Sequence, residues 1–207
     1  MLVKKVSRHF RGFSTSVFIH EVTPRDGLQN EKKVLSVPTK IRLIEKLIEC
    51  HPSSIEVASF VREDRVPAMS GAAEVCRALV TSHRASVARS DGMRFSALVP
   101  NVRGYQNFHN ASQGVVDTMV CLVSSTEAHS QANVGMSMEQ ALEVASTIIT
   151  FAKSDGYRVQ AYASLAFGCP FEGKVDHEAV LNIVDVYAKL GVDKVSWCVL
   201  YCTSAYA

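Results

Sequence analysis

SVFIHEVTPRDGLQNEK, residues 16–32 of a 207-residue chain, is the stretch from which the fold is read. Its first half, Ser16–Thr23, is short and rich in β-branched and aromatic residues, which predicts a first strand. Its second half sets Arg25 and Asp26 at the end of that strand, with a sharp turn expected at Asp26-Gly27. A helix is expected to begin near Ser36, with Pro38 in its first turn, where a missing N–H costs little. Ile41, Ile44, Leu47 and Ile48 then fall on one helical face.

The alternation continues outward. Strands are predicted over Ser54–Ala58, Arg94–Val99, Val116–Val123, Arg158–Ala163 and from Lys194 to Trp197. Helices are predicted over about 71–80, about 103–112, Met138–Lys153 and His177–Leu190. Such a pattern calls for a parallel sheet with helical crossovers. No G-x-G-x-x-G or G-x-x-x-x-G-K-[ST] follows any strand, which removes the usual nucleotide-binding fingerprints. Polar residues instead recur just after strand ends: Arg25 and Asp26, Ser59, Asn101, Ser124 and Ser125, Ser164. Catalytic groups gathered behind several strands are what the top face of a β/α barrel provides. The fold class expected is therefore α/β, a parallel (β/α)8 TIM barrel, of which about five and a half units are present.

Composition narrows the class. The chain has 22 Lys and Arg against 20 Asp and Glu, but Lys4, Lys5, Arg8 and Arg11 all precede the first acid, Glu21. Without residues 1–13 acids outnumber bases, so the body lacks the basic excess that a nucleic-acid binder needs. No apolar run is long enough to span a membrane. The basic, acid-free, hydroxyl-bearing leader predicts a mitochondrial transit peptide over residues 1–13, delivering a domain of residues 14–207 to the matrix. The six cysteines form no C-x-x-C pair and the histidines no H-x-H or H-x-x-x-H, which argues against a disulfide framework or a zinc site.

Three segments carry chemistry. An adjacent Arg25 and Asp26 can divide the work: a guanidinium for oxyanion charge, a carboxylate for a hard divalent cation. Alone, Arg-Asp-Gly would read as a surface salt bridge and a turn. Glu56, however, lies inside the apolar run IEVASFV (55–61), and a buried acid needs a partner, for which Arg25 is the natural candidate. Phe167–Gly173 (FGCPFEG) follows the fifth strand as a tight loop, where Cys169 is read as structural rather than nucleophilic. His20 is read as a packed core or barrel-wall residue rather than a ligand, and the other histidines as solvated.

EVTPRDGLQNEK, IEVASFV, ALVPN and YASLAFGCPFEGK, in that order, resemble the 3-hydroxy-3-methylglutaryl-CoA lyase family from about Val17 to Ser196. The resemblance implies retro-Claisen cleavage of that thioester to acetyl-CoA and acetoacetate, in leucine breakdown and ketone-body formation. It implies a divalent metal (Mg²⁺ or Mn²⁺) with Asp26 as ligand, Arg25 as catalytic cation and Glu56 holding it. Arg25, Gln29, Ser59, Tyr162 and Ser196 would line the substrate side, and Lys32 would meet CoA phosphate. The partner implied is a small-molecule CoA thioester, with no nucleic acid or membrane, on a homo-oligomer, a dimer. After Ser196 the family continues with Gly-Asp-Thr, a His-x-His pair and a glycine-rich cysteine loop. This chain instead reads WCVLYCTSAYA over 197–207. A truncated barrel without lyase activity, and with weak metal binding, is therefore expected of the 207 residues. The alternatives are an acyl-CoA condensing synthase of the same fold, disfavoured by Leu28 where those enzymes carry Glu, and a non-catalytic short isoform.

Overall fold

The computed structural model describes residues 17–198. The expectations for a leader over residues 1–13, and for all of the tail except Trp197 and the backbone of Cys198, lie outside them. Six parallel strands stand in sequential order: β1 (His20–Glu21), β2 (Ser54–Ser59), β3 (Arg94–Leu98), β4 (Thr118–Ser124), β5 (Arg158–Ser164) and β6 (Lys194–Cys198). The sheet curls as part of a barrel. Helices cross back between strands: α1 (Val37–Ile48), α2 (Ala72–Thr81), α3 (His83–Ser90), α4 (Val102–Ser112), α5 (Glu127–Val134), α6 (Met138–Ser154) and α7 (His177–Lys189).

Every strand's period-2 alternation sends one set of side chains toward the helices. Ile55, Val57, Phe95, Ala97, Met119, Cys121, Val123, Val159, Ala161 and Ala163 share one core cluster with Ile44, Leu79, Phe108, Ile148 and Ile183. The alternate positions (Glu56, Ser96, Val120, Gln160, Tyr162) therefore face the barrel interior, and they carry most of the polar atoms. Burial pushes the thiols of Cys76 and Cys121 up to about 12, as expected for packed, inert cysteines. Among the described residues no helix is long and apolar enough to cross a membrane.

The predicted α1 is present, with Ser36 at its N-cap; the face expected of it includes fully buried Ile44 and buried Ile48. It also buries Lys40, whose ammonium donates to the carbonyls of Ala68 and Ser70 at 2.7 and 2.6 Å. Desolvation holds the Lys40 pKa below its ordinary value. That cation pins the loop after β2, which packs through Ala68 and Met69 on Leu28.

Three expectations need correction. The first strand is not Ser16–Thr23: β1 spans only His20–Glu21, and Val17, Phe18 and Ile19 are exposed. The sharp turn expected at Asp26-Gly27 is instead a short π-helical segment, Thr23–Gly27. There the Val22 carbonyl accepts from the N–H groups of Arg25, Asp26 and Gly27 at 3.1, 2.7 and 3.3 Å, while Pro24 has no N–H to place. Finally, α3 and α5 occupy segments for which no helix is predicted.

Candidate active site

The π-helical turn leaves β1 beside the C-terminal half of β2, because the register pairs His20 with Ser54 and Glu21 with Ile55. Glu56, the next residue along β2, is fully buried. Arg25 meets it side-on: Nε donates to Oε1 at 2.6 Å and Nη2 reaches Oε2 at 3.4 Å. The remaining nitrogen, Nη1, donates to Asp26 Oδ1 at 2.7 Å. Burial works to lower the Arg25 pKa; the Glu56 and Asp26 charges outweigh it and raise the value overall. The result is a fixed cation at the mouth of the barrel, its orientation set by a buried carboxylate.

Tyr162 stands near enough to Arg25 for the two to interact electrostatically. Its hydroxyl accepts a hydrogen bond from Gln160 Nε2 at 2.6 Å, and the same amide lies 3.5 Å from Ser196 Oγ. Tyr162 and Ser196 are also register partners across β5 and β6. The structure thus brings together Arg25, Asp26, Glu56 and Tyr162, with Ser196 joined through Gln160. It does not bring in the others. Gln29 is half-buried and Lys32 exposed, and the side chain of neither makes a hydrogen bond to another described residue. Ser59 is buried at the end of β2, and its hydroxyl has no hydrogen-bond partner among the described residues. Gln160 was missed by the sequence reading. Its one signal is an amide inside the strand VQAYAS, a place where a polar group must find a partner.

The loop after β5 is closed by paired backbone hydrogen bonds between Cys169 and Gly173, both 2.8 Å. The Cys169 sulfur accepts from Thr126 Oγ1 at 3.1 Å and from the Phe171 N–H at 3.4 Å. Glu172 accepts from the Ala128 N–H at 2.7 Å, an acid at the start of α5 where helix N–H groups are unpaired. Leu165 enters this loop at φ 62°, a costly conformation for a non-glycine residue. His129, expected to be solvated, instead packs near Phe171 with Nδ1 2.7 Å from Ser124 Oγ. Burial lowers its pKa.

Among the described residues no three His, Cys, Asp or Glu side chains converge as metal ligands. Asp26 is mostly exposed, and one of its oxygens is already paired with Arg25. A cavity of about 950 Å³ lies at the opposite end of the sheet, lined by strand-starting residues including His20, Ser54, Arg94, Thr118, Arg158 and Lys194. It lies away from the Arg25 mouth.

Comparison with known proteins shows which family the chain resembles. Residues 16–199 match the HMGL-like family. The 3-hydroxy-3-isohexenylglutaryl-CoA/hydroxy-methylglutaryl-CoA lyase of Pseudomonas aeruginosa is 36% identical over 176 residues, 85% of this chain and 55% of that protein. The human mitochondrial hydroxymethylglutaryl-CoA lyase is 33% identical over 180 residues, 87% of this chain and 52% of that protein. Among solved structures, an HMG-CoA lyase from Acinetobacter baumannii in complex with coenzyme A and 3-methylmalate superposes with a TM-score of 0.79. It is 28% identical, covering 90% of this chain and 57% of that one. The chain thus spans about half the length of the curated relatives it matches.

Proposed function

The chain belongs to the HMGL-like family, and from that premise we propose that its Arg25 mouth serves the cleavage of 3-hydroxy-3-methylglutaryl-CoA to acetyl-CoA and acetoacetate. The observation that carries this reading is the fully buried Glu56 clamping Arg25 at the C-terminal end of the first strands. In the reaction the C3 hydroxyl loses its proton and becomes a ketone. The C2–C3 bond breaks, and its electron pair moves onto the thioester as an enolate, which takes up a proton at C2. A guanidinium fixed beside the thioester oxygen stabilises that enolate charge. Tyr162, Gln160 and Ser196 supply polar atoms on the same interior face to orient the substrate; the substrate-side roles of Gln29 and Ser59 and the CoA-phosphate role of Lys32 rest on the family resemblance alone.

Enzymes of this family depend on a divalent metal. Residues 17–198 offer such an ion one exposed carboxylate, Asp26, and a hard cation such as Mg²⁺ or Mn²⁺ wants several fixed oxygen donors. The described donor set does not fit the ion by itself, and the charge stabilisation assigned to Arg25 needs no metal. The relatives include a mitochondrial human enzyme and a bacterial one. The basic leader favours the mitochondrial matrix for this chain, and a homodimer is the assembly proposed. Residues 1–25 fused to a reporter are expected to enter the matrix, and Arg11→Glu to weaken that import; cytosolic retention of the unmutated fusion would remove the proposal.

The test of function is a chimera. Residues 17–196 are grafted in place of the matching half of the Pseudomonas aeruginosa lyase, and acetoacetate release from 3-hydroxy-3-methylglutaryl-CoA is assayed with Mg²⁺ or Mn²⁺. Turnover is the expected outcome. A folded chimera that binds metal and substrate yet releases no acetoacetate would overturn the reading.

A further inference from the structure

The two oxygens of Glu56 are unequally held. Oε1 receives Arg25 Nε at 2.6 Å; Oε2 has only Arg25 Nη2 at 3.4 Å and faces His20 Nε2 at 3.5 Å. The His20 ring is fixed from its other side, with Nδ1 2.6 Å from Ser54 Oγ. Its Nε2 is buried and makes no hydrogen bond to any described residue. A carboxylate can only accept, so the proton of the neutral ring belongs on Nε2, and the Ser54 hydroxyl donates to Nδ1. His20 therefore keeps an unused donor facing the poorly held oxygen of a fully buried carboxylate.

We propose that His20 is a positioning residue: it is the reserve donor that takes Glu56 Oε2 when Arg25 turns its Nη2 toward a substrate oxygen. This deepens the functional reading above and rests on it for the substrate. The physical need is independent of the substrate's identity. Drawing Nη2 away leaves an oxygen of a fully buried carboxylate without its donor, and an unmade bond to a buried charge is costly. Closing a gap of 3.5 Å to hydrogen-bond distance needs only a small shift of the ring or the carboxylate. The histidine lies behind the Arg25–Glu56 pair, on the side of the opposite cavity, so it touches no substrate. What matters is its N–H, not its bulk.

Two measurements on the 207-residue chain test this without turnover. The first is imidazole ¹⁵N NMR of the wild type and of Arg25→Lys, a change that removes the Nη2 donor. The expected result is an Nε2-protonated His20 whose N–H exchanges more slowly in Arg25→Lys. An Nδ1-protonated ring, or exchange unchanged by the substitution, would overturn the proposal. The second is a double-mutant cycle read by urea unfolding. Arg25→Lys should lower the folding equilibrium constant about tenfold more in a His20→Phe background than in wild type, a coupling in the range of contacting residues. His20→Gln, which keeps a donor near the Nε2 position, should restore the wild-type response. Additive effects would show a packing role alone and sink the idea. If His20→Phe does not fold, the NMR comparison decides alone. An inactive chimera in the previous test would end the functional reading and leave these results standing by themselves.

Discussion

Arg25 and Glu56 define what each can tolerate. In the active chimera, Arg25→Lys keeps the charge and loses the planar fork, two of whose nitrogens engage Glu56. If that fork serves only the transition state, kcat falls and KM barely moves. A single contact to an oxyanion is worth about 3 kcal/mol, or on the order of a hundredfold or more in kcat; steady-state kinetics on the two proteins checks this. Glu56→Ala leaves Arg25 without its buried counter-charge, and removing one partner of such a pair costs about 3–5 kcal/mol, readable as a shift in the urea midpoint. The pair was legible in the sequence because an acid in an otherwise apolar strand must be neutralised. His20 and Gln160 were not, since their partners, Ser54 and Tyr162, are fixed by strand register and rotamer, neither of which composition reveals.

At the scale of elements, legibility followed burial. The helices α1, α2, α4, α6 and α7 all carry an apolar stripe; the start of α1 and both ends of the other four fall within a residue or two of the expectation. By contrast α3 buries only Ala85 and Ala88, and α5 only Ser130, so hydrophobic periodicity had nothing to detect. The remaining signals were local: Ser82 accepting from the Ala85 N–H at the start of α3, and Glu127 in the first turn of α5. The first strand was overestimated because its pattern of β-branched and aromatic residues runs through Val17–Ile19, whereas the ladder begins at His20. Packing also sets a test between elements. A Cβ on Gly104 would lie 2.7 Å from the Phe60 carbonyl oxygen and 3.0 Å from Pro100 Cδ, forcing α4 away from the end of β2. Gly104→Ala is therefore expected to cost about 1–3 kcal/mol, with Tm falling by about 2–4 °C for each kcal/mol in a chain of this size. A calorimetric scan showing no loss would mean the helix shifts freely.

On the scale of the whole molecule, acid should loosen the last strand pair first. Asp193 accepts from the Val159 N–H at 2.8 Å and from Lys153 Nζ at 2.9 Å, tying the start of β6 to β5 and α6. Burial works to raise its pKa, but these donors overcome it and hold the value below the ordinary one. A depressed carboxylate stabilises the fold fully above its unfolded pKa, near 4, and that contribution is lost as pH falls through the lower folded value. Asp193→Asn should flatten this acid limb in urea midpoints measured across the range; an unchanged slope would show that Asp193 contributes nothing to it. The sequential order of the strands has a further consequence, one for biosynthesis. Every ladder joins neighbours in the chain, His20 meeting Ser54 and Gln160 meeting Lys194, so each closure spans a modest loop and its entropic cost stays nearly constant along the sheet. Strands can thus dock one after another as they leave the ribosome, each waiting only for the crossover that follows it rather than for a distant part of the chain.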